Sequence, residues 1–189
     1  AKATDATHPV TMTTSVVEYI SLDISGPAAD TVAFGSLTPG TPICYNTGTV
    51  ATVSTNAANG YTLGIHDSHA ASSSLAHTDT TTHIPKMTNG TIGTPVIWGS
   101  NTGVGISLYA ADTTKEAKWG DGDAVCVPTG ELVNKYAAMP ETATTAHTAA
   151  GAPKTADTSS WSYKIDVANT QKTGTYSGTM TFTATAVLT

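Results

Sequence analysis

The stretch WSYKIDVANTQKTGTYSGTMTFTATAVL, residues 161–188, carries the plainest structural signal in the chain. Trp161, Tyr163, Ile165 and Val167 alternate with polar or small residues, and a turn-like run follows at 169–174. A second alternation then sets Tyr176, Gly178, Met180, Phe182, Ala184, Ala186 and Leu188 against Ser177, Thr179, Thr181, Thr183 and Thr185. Successive side chains of a strand point to opposite faces, so each run offers one face to a core and one to water. Two such runs around a short turn predict a hairpin, and with it an antiparallel β protein.

Composition extends that reading to the whole chain. Of 189 residues, 38 are Thr, eight are Lys and none is Arg. The β-branched Thr side chain suits a pleated, half-exposed surface. Helix formers are scarce, and no long stretch repeats its apolar residues at helical spacing. The formal charge of -6 and pI near 5.3 leave no basic stripe to neutralise phosphates, which argues against nucleic acid. Solubility rests on hydroxyls, which suits a surface outside the cell. No apolar run reaches the 18 residues a membrane helix needs, so no membrane span is expected. No basic segment followed by an apolar one opens the chain, so residue 1 of an exported form is expected to be a mature terminus.

Outward from the C-terminal runs, strand patterns recur at 31–34, 47–55, 61–65, 95–98 and 104–109, and another ends at Cys126 and Val127. Asn59-Gly60 supplies a turn signal before Tyr61, Leu63 and Ile65. Many short strands with turns between them point to a sandwich, jelly roll or Greek key. Residues 66–94 are polar and irregular. Residues 140–160 are low in complexity, with almost no apolar bulk, and read as a second surface excursion. Cys44 and Cys126 are the two cysteines. In an exported chain they are most simply one disulfide, the other reading being two buried free thiols.

At the other end, Ala6, His8, Val10, Met12, Thr14, Val16, Glu18, Ile20, Leu22 and Ile24 share a phase. Nineteen extended residues span roughly 60 Å at about 3.3 Å each. A 189-residue globule is about 40 Å across, from a radius of gyration near 16 Å. Glu18 interrupts the face, and Val17 and Tyr19 put bulk on the opposite one. The run therefore divides. Residues 20–24 belong to the domain's own sheet, and 6–16 have no room there.

Candidate chemistry is thin. His66 and His69, with His77 and His83 nearby, resemble a metal-ligand set only loosely and read as solvated loop residues. Asp121 and Asp123 flank Gly122 in a fragment of a calcium loop whose remaining ligands are missing. No nucleophile elbow, phosphate loop or zinc-protease motif is present, so no catalytic residue, cofactor or metal is assigned and an enzyme is not expected. Trp98, Trp119 and Trp161 are the candidates for a sugar-stacking platform. Asn89-Gly90-Thr91 is the sole N-glycosylation sequon. The Thr/Ser/Ala/Pro-rich 142–160 is a candidate for O-linked sugar.

Three phrases carry a resemblance: VAFGSLTPGTP (32–42), VSTNAANGYTLGI (53–65) and TGTYSGTMTFTA (173–184). They resemble secreted prokaryotic β-sandwich surface proteins of the kind found in TasA and camelysin-type biofilm fibres and in archaeal bundling pili. The resemblance implies an all-β, jelly-roll-like sandwich (19–189) preceded by an extended donor strand (1–18). It further implies an extracellular, cell-surface filament subunit that polymerises head-to-tail, each N-terminal segment completing the sheet of an identical subunit. The inserted side chains would be Ala6, His8, Val10, Met12, Thr14 and Val16. A monomeric surface adhesin or carbohydrate-binding module, with glycans as partners, is the alternative.

Overall fold

The computed structural model describes residues 11–69, 73–120 and 126–188. Its strands are β1 (Ile20–Ser25), β2 (Ile43–Thr55), β3 (Gly60–Asp67), β4 (Ser73–His77), β5 (His83–Pro85), β6 (Val96–Ile97), β7 (Gly103–Ala111), β8 (Lys135–Ala138), β9 (Thr144–Ala150), β10 (Lys154–Asp166), β11 (Tyr176–Ser177) and β12 (Met180–Ala186). A single 3₁₀ turn, Ala117–Trp119, is the helical element among the described residues. The fold is an all-β, jelly-roll-like sandwich. One sheet runs β1-β2-β10-β7-β8-β6, and two three-stranded sheets, β12-β3-β9 and β11-β4-β5, lie against it. The ladders between named strands are antiparallel.

The sheets meet through the apolar phase of each strand. Ala51 and Val53 of β2, Trp161 and Ile165 of β10, and Val104, Ile106 and Leu108 of β7 join one core with Tyr61, Leu63 and Ile65 of β3. Across the interface the Trp161 ring meets Phe182 of β12 at 5.7 Å between centroids and Trp119 edge-on at 5.8 Å. Cys44 on β2 is bonded to Cys126, closing a loop whose ends are 82 positions apart.

Six sequence expectations are corrected. The runs at 161–167 and 176–188 are both strands, but they do not form a hairpin. β10 pairs with β2 and β7, whereas β12 pairs with β3, so the connection crosses from one sheet to the other. Nor does 161–166 turn a face to water: Ser162, Lys164 and Asp166 are buried. A second apolar cluster of Met87, Trp98, Cys126 and Tyr136 covers the outer side of the sheet at this point.

Residues 140–160, expected as a surface excursion, supply β9 and the first half of β10. Ala146 and Ala149 are fully buried there because partners supply the bulk. Trp119 lies close enough for its Nε1 to donate to the Ala146 carbonyl at 3.0 Å. Residues 66–94 are irregular only in part, since they contribute β4 and β5. The pattern at 31–34 enters no ladder, and neither do Cys126 and Val127.

Candidate functional site

A groove of about 1100 Å³ opens along one edge of the sandwich. Its floor is made by Tyr163, Ile165 and Val167, on and just past β10, with Val104 from β7. One wall is the irregular segment 28–37, and the other is 173–182, which includes β11 and the start of β12. Small-molecule pockets run to about 1,000 Å³. This groove sits at that upper limit, and strand-like chain borders it on both sides.

Both walls are unfinished. β12 pairs with β3 on one side only, so its other edge is open. Met180, Phe182 and Ala184, in phase with the core, remain half-exposed. On the opposite wall Val32, Phe34 and Leu37 also pack on the core while half-exposed. Among the described residues, no backbone hydrogen bond outside the strands involves 31–37. Two rows of unpaired backbone thus face an apolar floor. An open sheet edge is a template for another strand.

The floor of the groove is neutral, while the 28–37 wall carries the exposed carboxylate Asp30. Tyr163 donates from its hydroxyl to Thr49 Oγ1 at 2.8 Å, and burial pushes its pKa up, so it stays protonated. At the rim Lys172 is tied to Asp79 at 2.8 Å, and that bond holds the Asp79 carboxyl well below the usual range. These groups make no nucleophile-and-base pair.

The described part of the segment expected to fill such a groove, residues 11–16, lies outside any sheet. Of the predicted inserts, Ala6, His8 and Val10 fall outside the described residues. Met12, Thr14 and Val16 are exposed and unpaired, with Met12 at 90% and Val16 at 84% exposure. The chain enters the domain through a clamp at Asn56. Its Nδ2 donates to the Val17 carbonyl at 2.8 Å and its Oδ1 accepts from the Tyr19 amide at 2.7 Å. The Tyr19 carbonyl in turn accepts from Thr55 Oγ1 at 2.7 Å. This fixes residues 17–19 at the end of β12 occupied by Leu188, where Val16 and Leu188 line one shallow hollow. The groove begins at the other end, beside Met180 and Phe182.

Replacing Asn56 with Ala removes both side-chain bonds, each worth about 0.5–1.5 kcal/mol. We expect faster amide exchange at Tyr19 and quicker protease cutting within 11–19, with the global unfolding midpoint nearly kept. Unchanged exchange would mean that something else holds the segment.

The remaining candidates separate clearly. Cys44 and Cys126 are paired as expected. Asn89 is exposed in a loop, its Nδ2 bonded to Asn101 Oδ1 at 2.8 Å. His66, His69, His77 and His83 do not converge. Among the described residues the one cluster of three metal-ligating groups is Cys44, Cys126 and Glu131, and its two sulfurs are bonded to each other. Asp121 and Asp123 lie outside the described residues. Trp98, Trp119 and Trp161 are all within 2% of fully buried, so they form no stacking platform. Sequence reasoning missed the Asn56 clamp and the wall role of 31–37, although the alternation of Val32 and Phe34 was the signal for the latter. No protein-family model matches the chain, and no curated protein is similar to it.

Proposed function

We propose that this protein is a structural subunit of an extracellular filament or pilus, built head-to-tail by donor-strand complementation. One observation carries the reading: the same chain holds the unpaired residues 11–16, with Met12 and Val16 exposed, at one end of β12 and a strand-bordered groove at the other. A segment that reaches the next subunit's groove gains backbone bonds from the open edge and buries alternate side chains. Val10, Met12 and Val16 would each contribute about 1.5–3 kcal/mol on full burial. Residues 6–16 carry no charge apart from His8 when protonated, which matches the neutral floor. Because donor and acceptor differ, the contact does not close on itself and propagates as an open chain. The disulfide fits an oxidising, extracellular setting.

The test compares three proteins by negative-stain microscopy and by unfolding. Full-length chains should form fibres. Chains lacking residues 1–16 should stay folded and monomeric, and a synthetic 6–16 peptide should bind them. Phe34→Asp should fold but accept no donor. Fibres from the truncated chain would overturn the proposal, as would assembly by Phe34→Asp at the normal rate. The adhesin alternative has lost its aromatic platform, since the three tryptophans are core residues.

A further inference from the structure

The buried polar residues under the second apolar cluster point to a different chemistry. Lys164 sits on the outer face of β10, paired at Cα with Cys44 of β2 and Gly105 of β7. It is 1% exposed, and its Nζ donates to the Val127 carbonyl at 2.7 Å and lies 3.3 Å from Glu131 Oε2. The rings of Trp98 and Tyr136 stand 5.5 and 5.4 Å away. A Cβ at residue 105 would come within 2.9 Å of the Trp98 ring, so glycine there lets the ring settle against the sheet. The other oxygen of Glu131 accepts from Nδ2 of Asn134, a residue with no exposed surface. Tyr136 donates to Oε2 at 2.7 Å and fixes the carboxyl. One carboxyl group thus holds an amine on one oxygen and a carboxamide on the other, inside an aromatic shell.

We propose that Lys164 and Asn134 form an intramolecular isopeptide bond, with Glu131 as the proton-transferring group. The neutral amine of Lys164 attacks Cγ of Asn134 and the Nζ–Cγ bond forms. Glu131 holds the carboxamide by accepting from its Nδ2. A proton passes from Nζ through its carboxyl to Nδ2, the Cγ–Nδ2 bond breaks, and ammonia leaves. Amine and carboxamide become a secondary amide and ammonia, Glu131 is returned unchanged, and no oxidant is consumed. Burial pushes the Lys164 pKa down against the pull of Glu131, which favours the nucleophilic form. Holding both groups in place replaces an encounter with an effective concentration of about 10⁵ M or more. A plain buried ion pair would need only Lys164 and Glu131, whereas here the carboxamide shares the same carboxyl.

The experiment is the intact mass of the full-length, disulfide-bonded protein, followed by reduction and tryptic mapping. The expected mass is one ammonia below that of the disulfide-bonded sequence, with peptides 119–135 and 155–172 recovered as one linked species uncut at Lys164. Glu131→Gln should keep the ammonia and yield 119–135, 155–164 and 165–172 as separate peptides. A native mass equal to that of the disulfide-bonded sequence, with no ammonia lost, would overturn the proposal. So would an ammonia loss that maps to a succinimide at Asn89-Gly90. A linked Glu131→Gln protein would overturn the role of Glu131.

Discussion

Replacing Cys44 and Cys126 together with Ala should lower the unfolding free energy by about 4.5 kcal/mol, the chain-entropy value for a closed loop of this length. The bond joins positions 82 apart, so the unlinked denatured chain regains the freedom of nearly half its length. Domains of this kind are stable by about 5–15 kcal/mol, so the loss removes about 30% of the total or more. The damage should also have an address. Cys126 is one of four buried members of the outer cluster with Met87, Trp98 and Tyr136, and Asn46 holds its backbone from both sides. The double variant should therefore loosen residues 126–136 first, seen as early amide exchange there while β3 and β9 stay protected. Denaturant titration measures the global loss. A change below about 1 kcal/mol would mean that the denatured chain already keeps those ends together.

How far the sequence carries is visible in particular residues. The β class was legible because Thr-rich period-two runs follow from the geometry of one strand. Pairing was not legible from the same runs, because it depends on where the connecting chain goes. Residues 168–175 lead out of the six-stranded sheet, and β11 then joins β4. At Gly178 a Cβ would come within 2.3 Å of the Ser74 carbonyl, a close approach that the run Tyr176-Ser177-Gly178-Thr179 does not announce. Burial was misread wherever the covering group is distant in sequence. Ala146 looked too small to be core, yet Trp119 fills the space above it. Lys164 looked solvent-facing within Tyr-Lys-Ile, yet Trp98, Tyr136 and Glu131 enclose it from far along the chain.

The candidate site was half legible for a related reason. Both the run 6–16 and the phase of Val32 and Phe34 were read as strand, and the structure gives the described parts of each no partner within the chain. A strand pattern without a partner strand is the observation on which the filament proposal rests.

Trp161→Ala should cost about 3–5 kcal/mol, the range for removing a fully buried large aromatic. The ring is 0% exposed and lies between the sheets, edge-on to Trp119 and tilted against Phe182. Each aromatic pair adds about 0.5–1.5 kcal/mol beyond the buried area. The indole also donates from Nε1 to Ser159 Oγ at 3.1 Å, so truncation leaves a buried hydroxyl short of a partner. Trp161→Phe keeps a ring in place and should cost clearly less, which separates packing from the hydrogen bond. Phe182 makes this variant informative about assembly as well, because its ring touches Trp161 inside and lines the groove outside. Core loss and groove loss are then distinguishable. Trp161→Ala should lower the denaturation midpoint of the truncated monomer, whereas Phe34→Asp should leave that midpoint nearly unchanged and abolish binding of the 6–16 peptide. If Trp161→Ala costs less than about 1 kcal/mol, the two sheets do not meet through this ring.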